Sequence, residues 1–162
     1  MNRFALSDNE NVGKQRAEKR ESARRQPTVL VVENHEEVRN IVGSMVANQG
    51  WRPIKVASIS EAISWLDREP VDAIVSDWEL DDGIGYEILR KVRLSGHMPI
   101  PTVIISSYAS PELVAQARAA GAVDMLAKPF RIEDLTFLLN RELNQRETRG
   151  HHRPHAHTGA HR

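Results

Sequence analysis

The stretch AIVSDWELDDG, residues 73–83, decides how the rest of the chain is interpreted. Its apolar start, Ala73 to Val75, is typical of a strand that is buried on both faces of a parallel sheet. Asp77 follows at the carboxyl end of that strand, which is where ligands bind in open α/β folds. Taken alone, the pattern leaves open whether Asp77 takes part in binding or only caps the acidic turn that follows.

Length and composition favour one small domain. The 162 residues are 40% apolar and contain no cysteine, which excludes disulfides and thiol chemistry. No apolar run approaches the roughly 18 residues of a membrane span, and no apolar stretch follows the first charges as in a secretory signal. We therefore expect a cytoplasmic protein without a membrane partner.

Charge divides the chain into three parts. Residues 27–148 hold 12 basic and 18 acidic residues, whereas residues 1–26 hold seven basic and four acidic ones. Residues 149–162 hold three arginines and five of the seven histidines. We predict a folded domain at 27–148 between a disordered basic arm and a disordered His-rich tail. Basic ends can attract nucleic acid, but solvated ends are the commoner outcome, so nucleic acid is not an expected partner.

Five apolar stretches alternate with five amphipathic patterns. Strands are predicted at 28–32, 51–57, 73–77, 102–105 and 122–127, and helices at 34–50, 58–70, 83–95, 110–121 and from 133 onward. Strict alternation with short connections predicts an α/β fold, a doubly wound five-stranded parallel sheet with helices on both faces.

Polar residues follow four of these strands. They are Glu33 and Asn34, Asp77, Ser106 and Lys128. Because the carboxyl ends of parallel strands share one edge of a sheet, we expect these residues to converge. A carboxylate can accept a phosphoryl group, Mg²⁺ can bridge two anionic reactants through oxygen ligands, and a lysine can bind phosphoryl oxygens.

This set resembles the receiver domain of two-component response regulators, the CheY-like family. The matching segments are VLVVEN at 29–34, IVSDWEL at 74–80, Gly85 to Glu87, TVIISS at 102–107 and AAGAVDMLAKPF at 119–130. The similarity extends over roughly residues 27–146. It implies a flavodoxin-like fold with strand order 2-1-3-4-5. It also implies a signalling protein rather than an enzyme.

The resemblance implies roles for individual residues. Asp77 corresponds to the phosphoacceptor, Ser106 to the switch hydroxyl and Lys128 to the phosphoryl-binding lysine, with a cis peptide bond between Lys128 and Pro129. Mg²⁺ would be held by Glu33, Asn34, Asp77 and the main-chain carbonyl of Glu79. Glu79 and Tyr108 would tune the lifetime of the phosphoryl group.

The resemblance also implies partners. A histidine kinase or a phosphotransfer protein would donate the phosphoryl group. An unidentified downstream protein would bind the face formed by the fourth helix, the fifth strand and the fifth helix. We predict a single-domain regulator, since neither end is long or apolar enough for a DNA-binding domain.

Two departures from the family pattern leave an alternative open. Glu33 and Asn34 stand where the family usually has two aspartates, so a neutral amide replaces one charge and Mg²⁺ affinity should fall. Met125 stands where receivers usually carry an aromatic switch residue. Both changes fit a phosphorylation-independent pseudo-receiver that acts as an interaction module. His35, beside Glu33, does not fit a donor histidine, which needs an exposed position on a helical bundle.

Overall fold

The computed structural model describes residues 25–96 and 99–149, with side chains described up to residue 146. The predicted arm and tail therefore lie outside the described residues, apart from Arg25, Gln26 and the backbone of Arg149. Among the described helices, none has the length and apolarity that a membrane crossing requires.

A five-stranded parallel sheet forms the centre of the domain. Its strands are β1 Thr28–Val32, β2 Arg52–Val56, β3 Ala73–Asp77, β4 Thr102–Ser106 and β5 Asp124–Ala127. They lie in the order β2-β1-β3-β4-β5, and every neighbouring pair is parallel. The predicted fold and strand order are confirmed. Every residue of β1, β3 and β4 is buried, whereas the edge strands β2 and β5 are partly exposed.

Five helices connect the strands. They are α1 Glu36–Asn48, α2 Ile59–Arg68, α3 Tyr86–Leu94, α4 Pro111–Ala119 and α5 Ile132–Arg149. Two helices begin at a serine, the residue type favoured at an N-cap: Ser58 accepts a hydrogen bond from the main-chain N–H of Glu61, and Ser110 accepts one from that of Leu113. Asparagine is also favoured at this position, so the sequence predicts Asn34 as the N-cap of α1, but His35 occupies it.

Alternating side chains of the buried strands divide the core into two layers. One layer joins Val29 and Val31 of β1 to residues of α1 and α5, among them Val42, Val46, Leu135 and Leu139. The other layer joins Leu30 and Val32 to residues of α2 and α3, among them Ile59, Ala62, Ile88 and Val92. A strand with a period of two presents one set of side chains to each layer. This is why the central strands carry apolar side chains on both faces.

The spacing of apolar residues at three and four positions predicts that Ile41 and Tyr86 lie on buried helix faces, but both side chains are exposed. Ile41 is 56% exposed and Tyr86 is 38% exposed. In α1 the buried face is therefore narrower than this spacing predicts and centres on Val42 and Val46. In α3 the helix begins at Tyr86, and Ile88 takes the buried position instead.

A short antiparallel hairpin replaces the first turn of the helix predicted from Gly83. It pairs Glu79–Leu80 with Gly83–Ile84, and we call residues 79–84 the acidic hairpin. Its Asp82 accepts hydrogen bonds from the main-chain N–H groups of Ile59 and Ser60, each 3.0 Å long. Burial acts to raise the pKa of Asp82, but these hydrogen bonds outweigh it and lower the pKa. Asp82 thus ties the loop after β3 to the start of α2.

At Gly85 the backbone passes close to the end of β3. Its N–H donates to the carbonyl of Trp78 at 2.7 Å. A Cβ at this position would lie 2.7 Å from the carbonyl oxygen of Asp77 and 3.3 Å from Cα of Trp78. Both neighbours are backbone atoms, so any larger residue displaces the segment that presents Asp77.

Gly85→Ala should therefore destabilise the domain by about 1–3 kcal/mol, the range for overpacking a rigid site. Gly43→Ala is the matched control, because its new Cβ would meet only the flexible side chain of Lys55, at 2.8 Å. Helix propensity favours Ala at Gly43 by about 1 kcal/mol, so we expect little loss there. Urea unfolding of both variants checks this, and equal stability of the two would contradict the close-approach argument.

Candidate functional site

Three charged side chains meet at the carboxyl edge of the sheet. Lys128 Nζ donates to Glu33 Oε2 at 2.7 Å and to Asp77 Oδ2 at 2.9 Å. The side chains are 16% exposed for Lys128, 0% for Glu33 and 6% for Asp77. Two buried carboxylates thus share one ammonium. With all three groups ionised, the cluster has a net charge of −1.

Three different strands bring these residues together. Glu33 follows β1, Asp77 ends β3, and Lys128 follows β5. The main-chain N–H of Lys128 donates to the carbonyl of Ser106 at 2.7 Å, which fixes it beside β4. The peptide bond between Lys128 and Pro129 is cis, as the resemblance implied.

The second oxygen of each carboxylate is also placed by the backbone. Glu33 Oε1 accepts from the main-chain N–H of His35 at 2.9 Å and lies 3.2 Å from His35 Nδ1. Asp77 Oδ1 accepts from the main-chain N–H of Glu79 at 3.3 Å. Both carboxylates are therefore held at two oxygens, which fixes their orientation.

Burial and the shared lysine act in opposite directions on these groups. Burial raises the pKa of Asp77, Lys128 counteracts it, and the charge of Glu33 adds to the rise, so that the net shift is upward. Burial also acts to raise the pKa of Glu33, but hydrogen bonds from Lys128 and His35 outweigh it and lower the pKa. The pKa of Lys128 is raised, because its two carboxylate partners outweigh its burial.

Asn34 follows Glu33 in the chain, and its amide oxygen has no hydrogen-bond partner among the described residues. Its Nδ2 donates to Asp81 Oδ1 of the acidic hairpin at 2.9 Å. Its Oδ1 is buried. Buried polar atoms are normally satisfied, so an orphaned acceptor is consistent with a site for a cation. Carboxylate and amide oxygens are also the ligand types that Mg²⁺ prefers, so the donor set fits this ion.

Ser106 is near the cluster but bonds elsewhere. Its hydroxyl donates to the carbonyl of Tyr108 at 2.7 Å and accepts from the main-chain N–H of Tyr108 at 3.1 Å. The Tyr108 side chain is 70% exposed. Met125 is buried and packs in one apolar cluster with Trp78 and Ile104. The structure thus places Ser106 at the end of β4, with its hydroxyl turned to the loop that follows.

Two contributors to the site were missed in the sequence. His35 lies with Glu33 and Asp77 in a group whose possible ligand atoms are all within 4.8 Å of one another. Arg39 Nη1 donates to the carbonyls of Glu33, at 2.7 Å, and Asn34, at 3.1 Å. A basic residue one turn into a helix gives no sequence signal for this role, because the contact depends on how α1 meets β1.

Comparison with known proteins gives a consistent result. A family model for the response regulator receiver domain matches residues 29–140. The two-component response regulator ORR12 of Oryza sativa subsp. japonica is 36% identical over 116 residues, which cover 70% of this chain and 96% of that protein. An NtrX-like response regulator of Rickettsia bellii is 32% identical over 118 residues. The matched chain spans about a quarter (24%) of that relative's length.

Solved structures are similar in fold. The chemotaxis response regulator CheY4 of Vibrio cholerae has a TM-score of 0.67 and 27% identity, over 73% of this chain and 99% of its own. The receiver domain of the Francisella response regulator 1452 has a TM-score of 0.70 and 24% identity, over 75% of this chain and 99% of its own.

Removing the shared ammonium should destabilise the fold in a pH-dependent way. We expect Lys128→Met to lose about 3 kcal/mol at pH 7.5, because two buried carboxylates then lack a cation. Their pKa values in the folded variant should rise above the unfolded values. Groups whose folded pKa is raised bind protons on folding, so the variant should recover stability as the pH falls.

Urea unfolding at pH 7.5 and pH 5.0 measures this change. In the unmodified protein the stabilisation from the lowered pKa of Glu33 is lost only below its ordinary value of 4.5, outside this pH range. The raised pKa of Asp77 gives a smaller recovery on acidification than in the variant, because Lys128 still counteracts that rise. The difference in free energy of unfolding between the unmodified protein and Lys128→Met should therefore be smaller at pH 5.0 than at pH 7.5. Lys91→Met is the control, because Lys91 pairs with Asp67 at 2.6 Å on the surface. A difference that grows on acidification would refute the argument.

Proposed function

We infer, since this chain belongs to the response regulator receiver domain family, that Asp77 accepts a phosphoryl group in a two-component phosphorelay. The observation that supports this most directly is the bridging of Asp77 and Glu33 by Lys128, at 2.9 and 2.7 Å. That arrangement puts a buried nucleophilic carboxylate beside a cation able to bind phosphoryl oxygens. The donor would be a histidine kinase or a phosphotransfer protein.

The proposed step is a displacement at phosphorus. An oxygen of the Asp77 carboxylate forms a P–O bond as the P–N bond of a phosphohistidine breaks. The imidazole nitrogen leaves with the bonding electron pair and takes up a proton. The product is an aspartyl phosphate. Lys128 would then donate to a phosphoryl oxygen, which exchanges one carboxylate partner for the new anion.

Mg²⁺ would be held by four groups: the side chains of Glu33, Asn34 and Asp77 and the main-chain carbonyl of Glu79. When bound, this ion neutralises the charge of the two anionic reactants. The chain's own contribution is to fix the ligand oxygens before the ion arrives. Arg39 holds the carbonyls of residues 33 and 34, and the acidic hairpin holds the amide of Asn34.

Output would start at Ser106. Its hydroxyl donates to the carbonyl of Tyr108 in this structure, and phosphorylation would offer it a phosphoryl oxygen instead. The loop after β4 would lose that restraint and change the face formed by α4, β5 and α5, where a downstream protein binds. Glu79 and Tyr108 are exposed and follow Asp77 and Ser106 by two residues each. We propose that they control the access of water and so the lifetime of the aspartyl phosphate.

One experiment separates this function from the alternative of a phosphorylation-independent interaction module. The protein is incubated with a small phosphodonor and Mg²⁺, and intact mass is measured. We expect the mass of one phosphoryl group to be added to the protein and to Asp67→Asn, a surface control, but not to Asp77→Asn. If the unmodified protein gains no phosphoryl group, the phosphoacceptor role is wrong.

The neutral amide of Asn34 makes a second prediction. Restoring a charge with Asn34→Asp should tighten Mg²⁺ binding about tenfold, equivalent to about 1.4 kcal/mol, because ligand charge tunes affinity. Asn48→Asp adds the same charge at the end of α1 and should have no such effect. Mg²⁺ titration by calorimetry checks both variants, and similar affinities in both would show that residue 34 is not a ligand.

A further inference from the structure

We propose that the imidazole of His35 is a ligand in the cation site of Glu33 and Asp77, and that it shifts the preference of this site toward transition-metal cations that favour nitrogen ligands. The inference deepens the proposed function, on whose two carboxylates it rests. It adds a nitrogen ligand that the proposed Mg²⁺ site does not contain.

The geometry gives three ligand groups from two strand ends. One ligand atom each from Glu33, His35 and Asp77 lies within 4.8 Å of the others. Lys128 engages Glu33 Oε2 and Asp77 Oδ2. Oε1 and Oδ1 each accept a main-chain N–H and have a second lone pair that can bind a cation. His35 Nδ1 is 3.2 Å from Glu33 Oε1.

The position of His35 suits a ligand. Its side chain is 71% exposed, so a hydrated ion can reach it. Its backbone is fixed, because its N–H donates to Glu33 and it forms the N-cap of α1. The side chain makes no cap hydrogen bond, and among the described residues its ring contacts Glu33 through Nδ1. The ring thus lies near the carboxylates and makes no capping hydrogen bond to α1.

Ligand chemistry favours a transition metal at such a site. Mg²⁺ gains little from nitrogen ligands and depends on charged oxygens, and here Asn34 supplies none of that charge. Imidazole suits cations such as Co²⁺, Ni²⁺ and Zn²⁺, which gain from mixed nitrogen and oxygen ligands. Asn34, which stands where the family usually has an aspartate, therefore lowers the affinity for Mg²⁺ much more than the affinity for a cation bound through His35.

The test uses Co²⁺ and Mg²⁺ alone, without a phosphodonor, so that its outcome does not depend on phosphorylation. The five histidines of residues 151–162 would bind Co²⁺ themselves. They are replaced by Asn in the full-length chain, and this protein is the reference. Calorimetry gives the affinities, and the visible spectrum of Co²⁺ reports a nitrogen ligand.

His35→Ala should weaken Co²⁺ binding on the order of tenfold or more, since even outer partners of metal ligands contribute this much. It should change Mg²⁺ binding less than about twofold, because Mg²⁺ uses oxygen ligands. The Co²⁺ spectrum should shift in His35→Ala and stay the same in His97→Ala, the control for the other histidine outside the tail.

Three results would overturn the inference. The first is Co²⁺ affinity that is unchanged in His35→Ala. The second is an equal loss in His97→Ala. The third is an equal loss of Co²⁺ and Mg²⁺ affinity in His35→Ala, because His35 would then act only by positioning Glu33. A failure of phosphorylation with Mg²⁺ in the unmodified protein would instead contradict the proposed function and leave these titrations interpretable.

Discussion

The arrangement of the site depends on two carboxylates buried against one ammonium. Glu33 and Asp77 would not both stay ionised in an apolar interior without Lys128, which contacts both. The lysine must come from a strand at the far end of the sheet, and the acids from strands near its centre. In the observed strand order the carboxyl ends of these strands share one edge of the sheet, which brings the three side chains together. A buried cluster with a net negative charge is also poised to gain a cation.

The surrounding contacts hold this cluster in one geometry. Arg39 binds the two carbonyls after β1, and Asp82 ties the acidic hairpin to α2. The hairpin in turn holds Asn34 through Asp81. Gly85 lets the chain return close to the backbone of Asp77. These contacts lie outside the charged cluster, yet each one limits where a ligand oxygen can move.

Asn34 stands where the family usually has an aspartate, and His35 next to it can compensate for the missing charge. The amide contributes an oxygen without charge, and that oxygen has no partner among the described residues. The next residue, His35, brings an imidazole nitrogen within 3.2 Å of Glu33 Oε1. Under the proposed metal binding, a site that loses a charge and gains a nitrogen ligand would change its preferred cation rather than lose its capacity for one.

The sequence alone determined the α/β class, the five strands and the residues at their carboxyl ends. Apolar runs bounded by turn residues specify buried strands locally, and alternation with helices leaves few topologies. Tertiary structure decided what depends on distances between remote segments. The sharing of Lys128, the turning of Ser106 toward Tyr108, the hairpin that begins before α3 and the approach of His35 to the site all depend on packing. None of them leaves a periodic signal, because each is set by how separate elements meet in space.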